Sequence, residues 1–401
     1  MSDRIRLSLM MFLTYLIWGA WYTTINTYLT KTLGFTGTQA GAVFGTGALA
    51  CIVSPFFVGM VADRFFPTEK VMAVLHLIGA GLLFAVTQVR SFTAVYTVMF
   101  IYCLCYFPTV SLSNTIALKQ MKDAGRDFPL IRVWGTFAWI VIVNVVGYFR
   151  VEDSHIQFLI AAGASVIMAI YSLTLPHTPP QNKGQEITFS RVLGLDALVI
   201  LKDQSFLVFV IASILACIPL TFYFSWVNPY LNELGVVNAA GKMSLGQWSE
   251  LFMMIVMAFI FRKVTVKGIL IMGLLAWTVR YALLAYGNAD SGMWMFFLAI
   301  LLHGVCYDFF FMTGQLYTDI QAPANLRAAA QGLIIFLTYG VGMFIGSLLS
   351  GGAVDYFTKT VNGVVTRDWQ AFWLTSSAGA GVILLLLLIF FKSKAKVEAA
   401  G

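Results

Sequence analysis

Runs of about 20 or more mostly apolar residues recur twelve times along the chain, at roughly 7–30, 38–61, 71–89, 92–117, 130–149, 156–175, 204–231, 241–261, 268–287, 293–317, 328–352 and 369–391. A helix needs roughly 20 such residues to cross the hydrocarbon of a bilayer. Backbone polar groups in hydrocarbon must be satisfied internally, so runs of this length form helices. The expected fold is therefore an all-α membrane protein of twelve transmembrane helices. Only 11% of the 401 residues are charged. A soluble chain has about 25%, so soluble enzymes and nucleic-acid-binding domains are excluded.

Most loops are short, and the exception lies at the midpoint. Residues 176–203, PHTPPQNKGQEITFSRVLGLDALVILKD, are polar and Pro-rich. They divide the chain into an N-terminal six-helix bundle at 1–175, a cytoplasmic linker at 176–203 and a C-terminal six-helix bundle at 204–401. The net charge of +7 is read through topology, because Lys and Arg concentrate in cytoplasmic loops. With a cytoplasmic N-terminus, 17 of the 25 Lys and Arg fall inside, six outside and two, Arg132 and Arg280, within spans. Both termini are thus expected in the cytoplasm, and the protein in the cell inner (cytoplasmic) membrane as a multi-pass protein. Cys51, Cys103, Cys105, Cys217 and Cys306 all lie in apolar runs, as small buried hydrophobes. No signal peptide is expected at the start. No G-x-x-x-x-G-K-S/T loop, H-E-x-x-H or paired Cys/His spacing occurs. Neither ATP drive nor a metal or other cofactor is expected. The chain is read as a non-enzyme. An intramembrane enzyme or a receptor would need a nucleophile with its base or an attached soluble domain.

The loop after the second span contains Gly59-Met-Val-Ala-Asp63-Arg64, and the loop after the eighth, Phe261–Gly268, is basic at the equivalent place. An acid followed by bases at a helix end can pair with a neighbouring helix end and latch one conformation. Gly59, Asp63 and Arg64 are the candidates for that role, in a pattern resembling the signature loop of the major facilitator superfamily. Gly41 with Gly45, and Gly342 with Gly346, are small-xxx-small pairs suited to close helix packing.

Ionisable residues inside a membrane are costly and are functional candidates by default. Glu250 lies mid-span beside Gln247 at i, i+3. Asp308 lies deep in the tenth span, where His303 and Tyr307 share a face at i, i+4. Arg132, Thr136 and Trp139 form one stripe on the fifth. Bare carboxylates in hydrocarbon take a proton or find a cation, and Arg132 needs an anion. Asp308 and Glu250 are the candidate proton-coupling residues. A static ion pair joining the halves is the alternative, and for Arg132 so is a side chain reaching to the cytoplasmic edge. Arg280 is expected to pair with Asp290 near the outer end of its span, and His76 to be a satisfied core residue. Arg327–Gly332 reads as a helix-start gate element.

The chain resembles the bacterial nucleoside:proton symporters, the nucleoside permeases of the major facilitator superfamily. The resemblance rests on Trp18-Gly-Ala-Trp21-Tyr-Thr-Thr, Gly59–Asp63, Pro108–Ile116 and Asp127-Phe-Pro-Leu-Ile-Arg132-Val-Trp-Gly-Thr136. It continues through Leu175-Pro-His, Leu193-Gly-Leu-Asp-Ala, Gln247-Trp-Ser-Glu250, Tyr307-Asp308-Phe-Phe and Arg327-Ala-Ala-Ala-Gln331-Gly. It implies proton-coupled nucleoside import by alternating access, with the nucleoside bound in a central cavity. Arg132, Thr136, Gln247, Glu250 and Asp308 would be polar site positions, and Trp139 and Tyr307 aromatic ones. Two departures are Thr221 and Phe224, where the family carries amides, and His303, where it carries a tyrosine-like residue. A facilitator or symporter for another polar solute, such as a sugar or nucleobase, stays open. The implied partners are a small-molecule nucleoside, protons and the lipid bilayer; no nucleic acid is implied, and a monomer is expected.

Overall fold

Helices dominate a computed structural model of the chain, which describes residues 3–121, 123–180, 194–361 and 364–392. In chain order the helices are α1 Asp3–Gly19, α2 Gly37–Arg64, α3 Thr68–Gln88, α4 Phe92–Lys119, α5 Ala124–Tyr148 and α6 Ile156–Ser172. They continue as α7 Gln204–Glu233, α8 Ala239–Ile260, α9 Val266–Tyr286, α10 Met293–Gln321, α11 Arg327–Tyr356 and α12 Trp369–Phe390. Among the described residues nine helices are long and apolar enough to cross a membrane, and Gly37–Val53 and Ile156–Ser172 are shorter apolar helices.

Two departures from the sequence reading stand out. The run at 7–30 is not one helix: α1 ends at Gly19, a turn follows, and the chain resumes as Ile25–Thr27 and a π-helical turn, Tyr28–Thr32. The all-α expectation is amended by a small antiparallel hairpin, β1 Thr358–Val361 with β2 Val364–Arg367. β-Branched residues make up most of this loop, and they favour the extended backbone.

Helix starts follow from side-chain caps. Ser91, Asp203, Thr265 and Asp368 each accept a backbone N–H of the first turn of α4, α7, α9 and α12. Such caps satisfy donors that no intrahelical carbonyl can reach. Outward faces are apolar: Leu77, Ile170, Phe259 and Ile389 are each more than 60% exposed. Water would not tolerate so much open apolar surface, whereas lipid does.

The chain divides into two units, Met1–Phe35 with Ala42–Ile187, and Thr36–Gly41 with Thr188–Gly401. In the first, α1 packs on α5 and α6, and α3 on α4 and α6. In the second, α7 packs on α11 and α12, and α9 on α10 and α12. Each of these pairs recurs six helices later, so the echo between the two halves extends to their packing. Thr36–Gly41 belongs to the second unit, where the Asp355 carboxylate accepts the N–H groups of Gly37 at 2.6 Å and Thr38 at 2.8 Å. A Cβ on Gly41 would lie 2.4 Å from the Ser347 carbonyl oxygen, so only glycine permits this approach. The α7–α11 seam is equally tight: a Cβ on Gly346 would meet Thr221 Oγ1 at 2.7 Å and Ile218 Cα at 3.0 Å.

The latch candidates Gly59, Asp63 and Arg64 lie on the helical backbone of α2, and their side chains are outside the described residues. Residues 181–193 of the expected linker are also outside them. The described start of that linker is anchored in the first unit. Glu69, buried at the head of α3, lies 2.9 Å from His177 Nδ1 and accepts the Thr178 N–H at 3.0 Å.

Candidate functional site

In the first unit, α1 and α5 pack together and gather the aromatic residues of both. Trp139 meets Trp18 at 5.3 Å and Tyr22 at 5.8 Å, edge to face in both cases. Trp18 also packs edge-on against Phe107. The indole N–H groups of Trp18 and Trp139 have no hydrogen-bond partner among the described residues. Two helical turns away along α5, the Arg132 guanidinium lies over the Tyr15 ring at 4.1 Å, a cation–π contact. Arg132, Thr136 and Trp139 are all half-buried. Their shared stripe therefore has a packed side and an open side.

In the second unit the site residues cluster around His303, which is completely buried on α10. Tyr223 stacks on its ring at 5.1 Å and 19°, Tyr307 lies at 5.9 Å and 30°, and Phe224 meets it edge-on at 5.5 Å. His303 Nε2 is 2.8 Å from Glu250 Oε1. This is an ionic-range approach rather than an aligned hydrogen bond. Gln247, one turn before Glu250 on α8, is nearly buried. Asp308 is 3% exposed, and its Oδ2 has no hydrogen-bond partner among the described residues. A carboxyl group in that setting is disfavoured as an anion and must hold a proton or meet a donor.

The backbone around Asp308 is irregular. α10 changes to a π-helical turn at Asp308–Met312, and α11 does the same at Phe336–Gly342. Such turns are rare and often sit at functional sites. The Tyr307 hydroxyl, at the first of these turns, is 2.5 Å from the Tyr339 hydroxyl in the second. Neither Tyr339 nor the π turns are legible in the apolar pattern of these spans.

Three expectations change. Arg280 does not pair with Asp290, which is exposed. It is fully buried on α9, with Nη1 2.9 Å from His303 Nδ1 and its guanidinium 3.4 Å from the Tyr223 ring centroid. The second unit thus carries its own base, linked to Glu250 through the His303 ring. Its i, i+3 and i+4 neighbours on α9 are apolar, so only the fold reveals its company on α7, α8 and α10. Thr221 lies deeper than an open cavity wall: it is fully buried in the α7–α11 seam, and its hydroxyl donates to the Cys217 carbonyl at 2.7 Å. His76 is buried as expected, but its Nε2 has no hydrogen-bond partner among the described residues. Trp248, a further aromatic of α8, is 49% exposed. The gate element at Arg327 starts α11, where the Gln331 amide donates to Asp319 Oδ1 at 2.7 Å and to the Gln315 carbonyl at 2.8 Å.

The family model described as nucleoside H+ symporter matches residues 1–396. The chain belongs to the nucleoside:proton symporter family. It is 39% identical over 404 residues to the putative nucleoside transporter YegT of Escherichia coli (strain K12), covering 98% of this chain and 94% of that one. It is 34% identical to the xanthosine permease of the same organism, with 93% and 92% covered. The crystal structure of the nucleoside transporter NupG superimposes with a TM-score of 0.89 at 32% identity, covering 98% of this chain and all of that one. The family and the match to NupG make the chain a transporter.

Proposed function

We propose that this symporter imports nucleosides across the bacterial inner membrane together with protons, by alternating access. The observation that carries the reading is the match of the nucleoside H+ symporter family to residues 1–396. The intramembrane carboxylates fit the same chemistry. Glu250 and Asp308 are the groups through which a proton would move, because each can exist charged or neutral at modest cost once it has a partner. In the same reading all twelve helical stretches cross the bilayer, both termini are cytoplasmic, and the protein works as a monomer. Gly59, Asp63 and Arg64 form the cytoplasmic latch.

A nucleoside presents a flat base and a ribose rich in hydroxyls. Carboxylates and amides suit the hydroxyls, so Gln247 and Glu250 are assigned to the sugar. Trp139, Phe224 and Tyr307 are assigned to the base, since base–aromatic stacking is worth about 1–3 kcal/mol per base in nucleic-acid sites. Arg132 and Thr136 add donors on the stripe of Trp139. His303 orients Glu250, and Thr221 shapes the wall behind it.

One proton crossing 100 mV releases about 2.3 kcal/mol, enough for roughly 40-fold accumulation of a neutral solute. Uptake of labelled nucleoside into energised vesicles tests this directly. Accumulation is expected to fall to equilibration when a protonophore is added and to vanish in Asp308→Ala. Full accumulation in the presence of the protonophore would rule out proton coupling.

A further inference from the structure

The cluster of Arg280, His303 and Glu250 contains a chemical constraint that substrate recognition does not require. Arg280 Nη1 sits 2.9 Å from His303 Nδ1, and both residues are completely buried. A guanidinium carries donors and no acceptor. His303 Nδ1 must therefore accept this hydrogen bond. The ring is then neutral, and its single proton is on Nε2, the atom 2.8 Å from Glu250 Oε1. An imidazolium would set an N–H donor and a second positive charge against Arg280 at the same distance. Arg280 thus donates to His303 Nδ1, and the Nε2 proton is left on the side of the ring that approaches Glu250.

Most of the surrounding side chains are aromatic. From α7, Tyr223 stacks on the imidazole and underlies the guanidinium, and Phe224 meets the ring edge. From α10 come Cys306, Tyr307 and Asp308; from α9 comes Tyr281; from α11 comes Tyr339, bonded to Tyr307. Glu250 on α8 and Asp308 are the acids of this cluster, and Arg280 is its permanent cation.

We infer that Arg280 is a positioning residue that acts through His303, holding the imidazole in its neutral Nε2–H form so that the transported proton is confined to the carboxylates. An unconstrained histidine has a pKa near 6.5 and would compete with Glu250 and Asp308 for that proton in the working pH range. Burial and Arg280 together remove the competitor, and the Nε2 proton is kept on the side facing Glu250. The role in coupling rests on the proposed function, whereas the protonation state of His303 does not.

The chain has four histidines, so nitrogen NMR of purified, histidine-labelled protein can resolve His303 by difference with His303→Gln. The wild-type protein is expected to show the neutral Nε2–H tautomer for His303 throughout roughly pH 5 to 8. Arg280→Lys, another donor without an acceptor, should keep that tautomer. Arg280→Gln should let the ring titrate and should add an acid-side decline to the pH profile of uptake. Nucleoside affinity in Arg280→Gln should fall roughly tenfold, the scale of a lost hydrogen bond to a charged group. An imidazolium or an Nδ1–H tautomer in the wild-type protein overturns the inference, whatever the variants do. A titrating His303 in Arg280→Lys, or a pH profile unmoved in Arg280→Gln, overturns it as well. If uptake by the wild-type protein proves independent of protons while His303 keeps its tautomer, the coupling function fails and the positioning role stands.

Discussion

A buried charge dictates the identity of its neighbours more strictly than any apolar contact does. Glu250 has an imidazole 2.8 Å away, and that imidazole has a guanidinium 2.9 Å away; a change at one is felt by the next. Trp139 is held differently, between the rings of Trp18 and Tyr22, so its contribution to packing and to substrate must be separated. Trp139→Phe keeps an aromatic face and should bind nucleosides nearly as well as the wild-type protein. Trp139→Ala should lose about 1–3 kcal/mol of affinity. Gln247→Ala should blunt the preference for ribonucleosides over deoxyribonucleosides, because a site built to pair hydroxyls penalises ligands that lack them. Titration calorimetry with both ligand series reads all three variants, and unchanged affinity in Trp139→Ala would remove the stacking role.

At the scale of elements, the C-terminal unit combines a tight seam with two loosened turns. The seam is α7 against α11, where Gly342 and Gly346 meet the backbone of Ile214 and Ile218. The loosened turns are the π-helical segments of α10 and α11, joined through Tyr307 and Tyr339. Gly346→Val forces a side chain into space already held by Thr221 Oγ1 and Ile218 Cα. Overpacking of this kind costs typically about 1–3 kcal/mol, so the detergent-solubilised variant should melt at a lower temperature. Gly163 on α6 is the contrast: a Cβ there meets nothing within 4 Å. Gly163→Ala should leave melting unchanged or raise it, since alanine favours a helix over glycine by about 1 kcal/mol. Equal melting of the two variants would show that the seam yields.

For the whole molecule, the distribution of positive charge carries the topology. With the proposed cytoplasmic N-terminus the inside segments hold 17 Lys and Arg against six outside, and such a bias acts during insertion rather than in the finished fold. A C-terminal fusion to a fluorescent protein that matures only in the cytoplasm should therefore be bright. A fusion to a phosphatase that needs the oxidising periplasm should be inactive. The opposite result would invert the assignment of every loop. The repeated helix pairs, α1–α5 with α7–α11 and α3–α6 with α9–α12, give each unit the same internal scaffold on which to mount different chemistry.

The sequence by itself determined the membrane-spanning helical class, because hydrocarbon leaves a long apolar run no other way to satisfy its backbone. It also singled out Arg132, Glu250 and Asp308, since a charge within an apolar run is visible without a fold, and the runs around Arg132 and Asp308 carried the family. Tertiary structure decided the rest. Arg280 lies 30 residues from Glu250 along the chain and 23 from His303, with no periodic pattern linking them; only the packing of α8, α9 and α10 sets the three side chains in line. The break after Gly19 and the π turns at Asp308 and Phe336 escape hydropathy for the same reason: a run's apolarity is indifferent to how its backbone bonds are spaced. Thr221 entered through the resemblance alone; the fold shows its hydroxyl donating within its own helix and Gly346 of α11 packed close against it. What a residue is can be read from the chain, but what it faces depends on which helices the fold brings together.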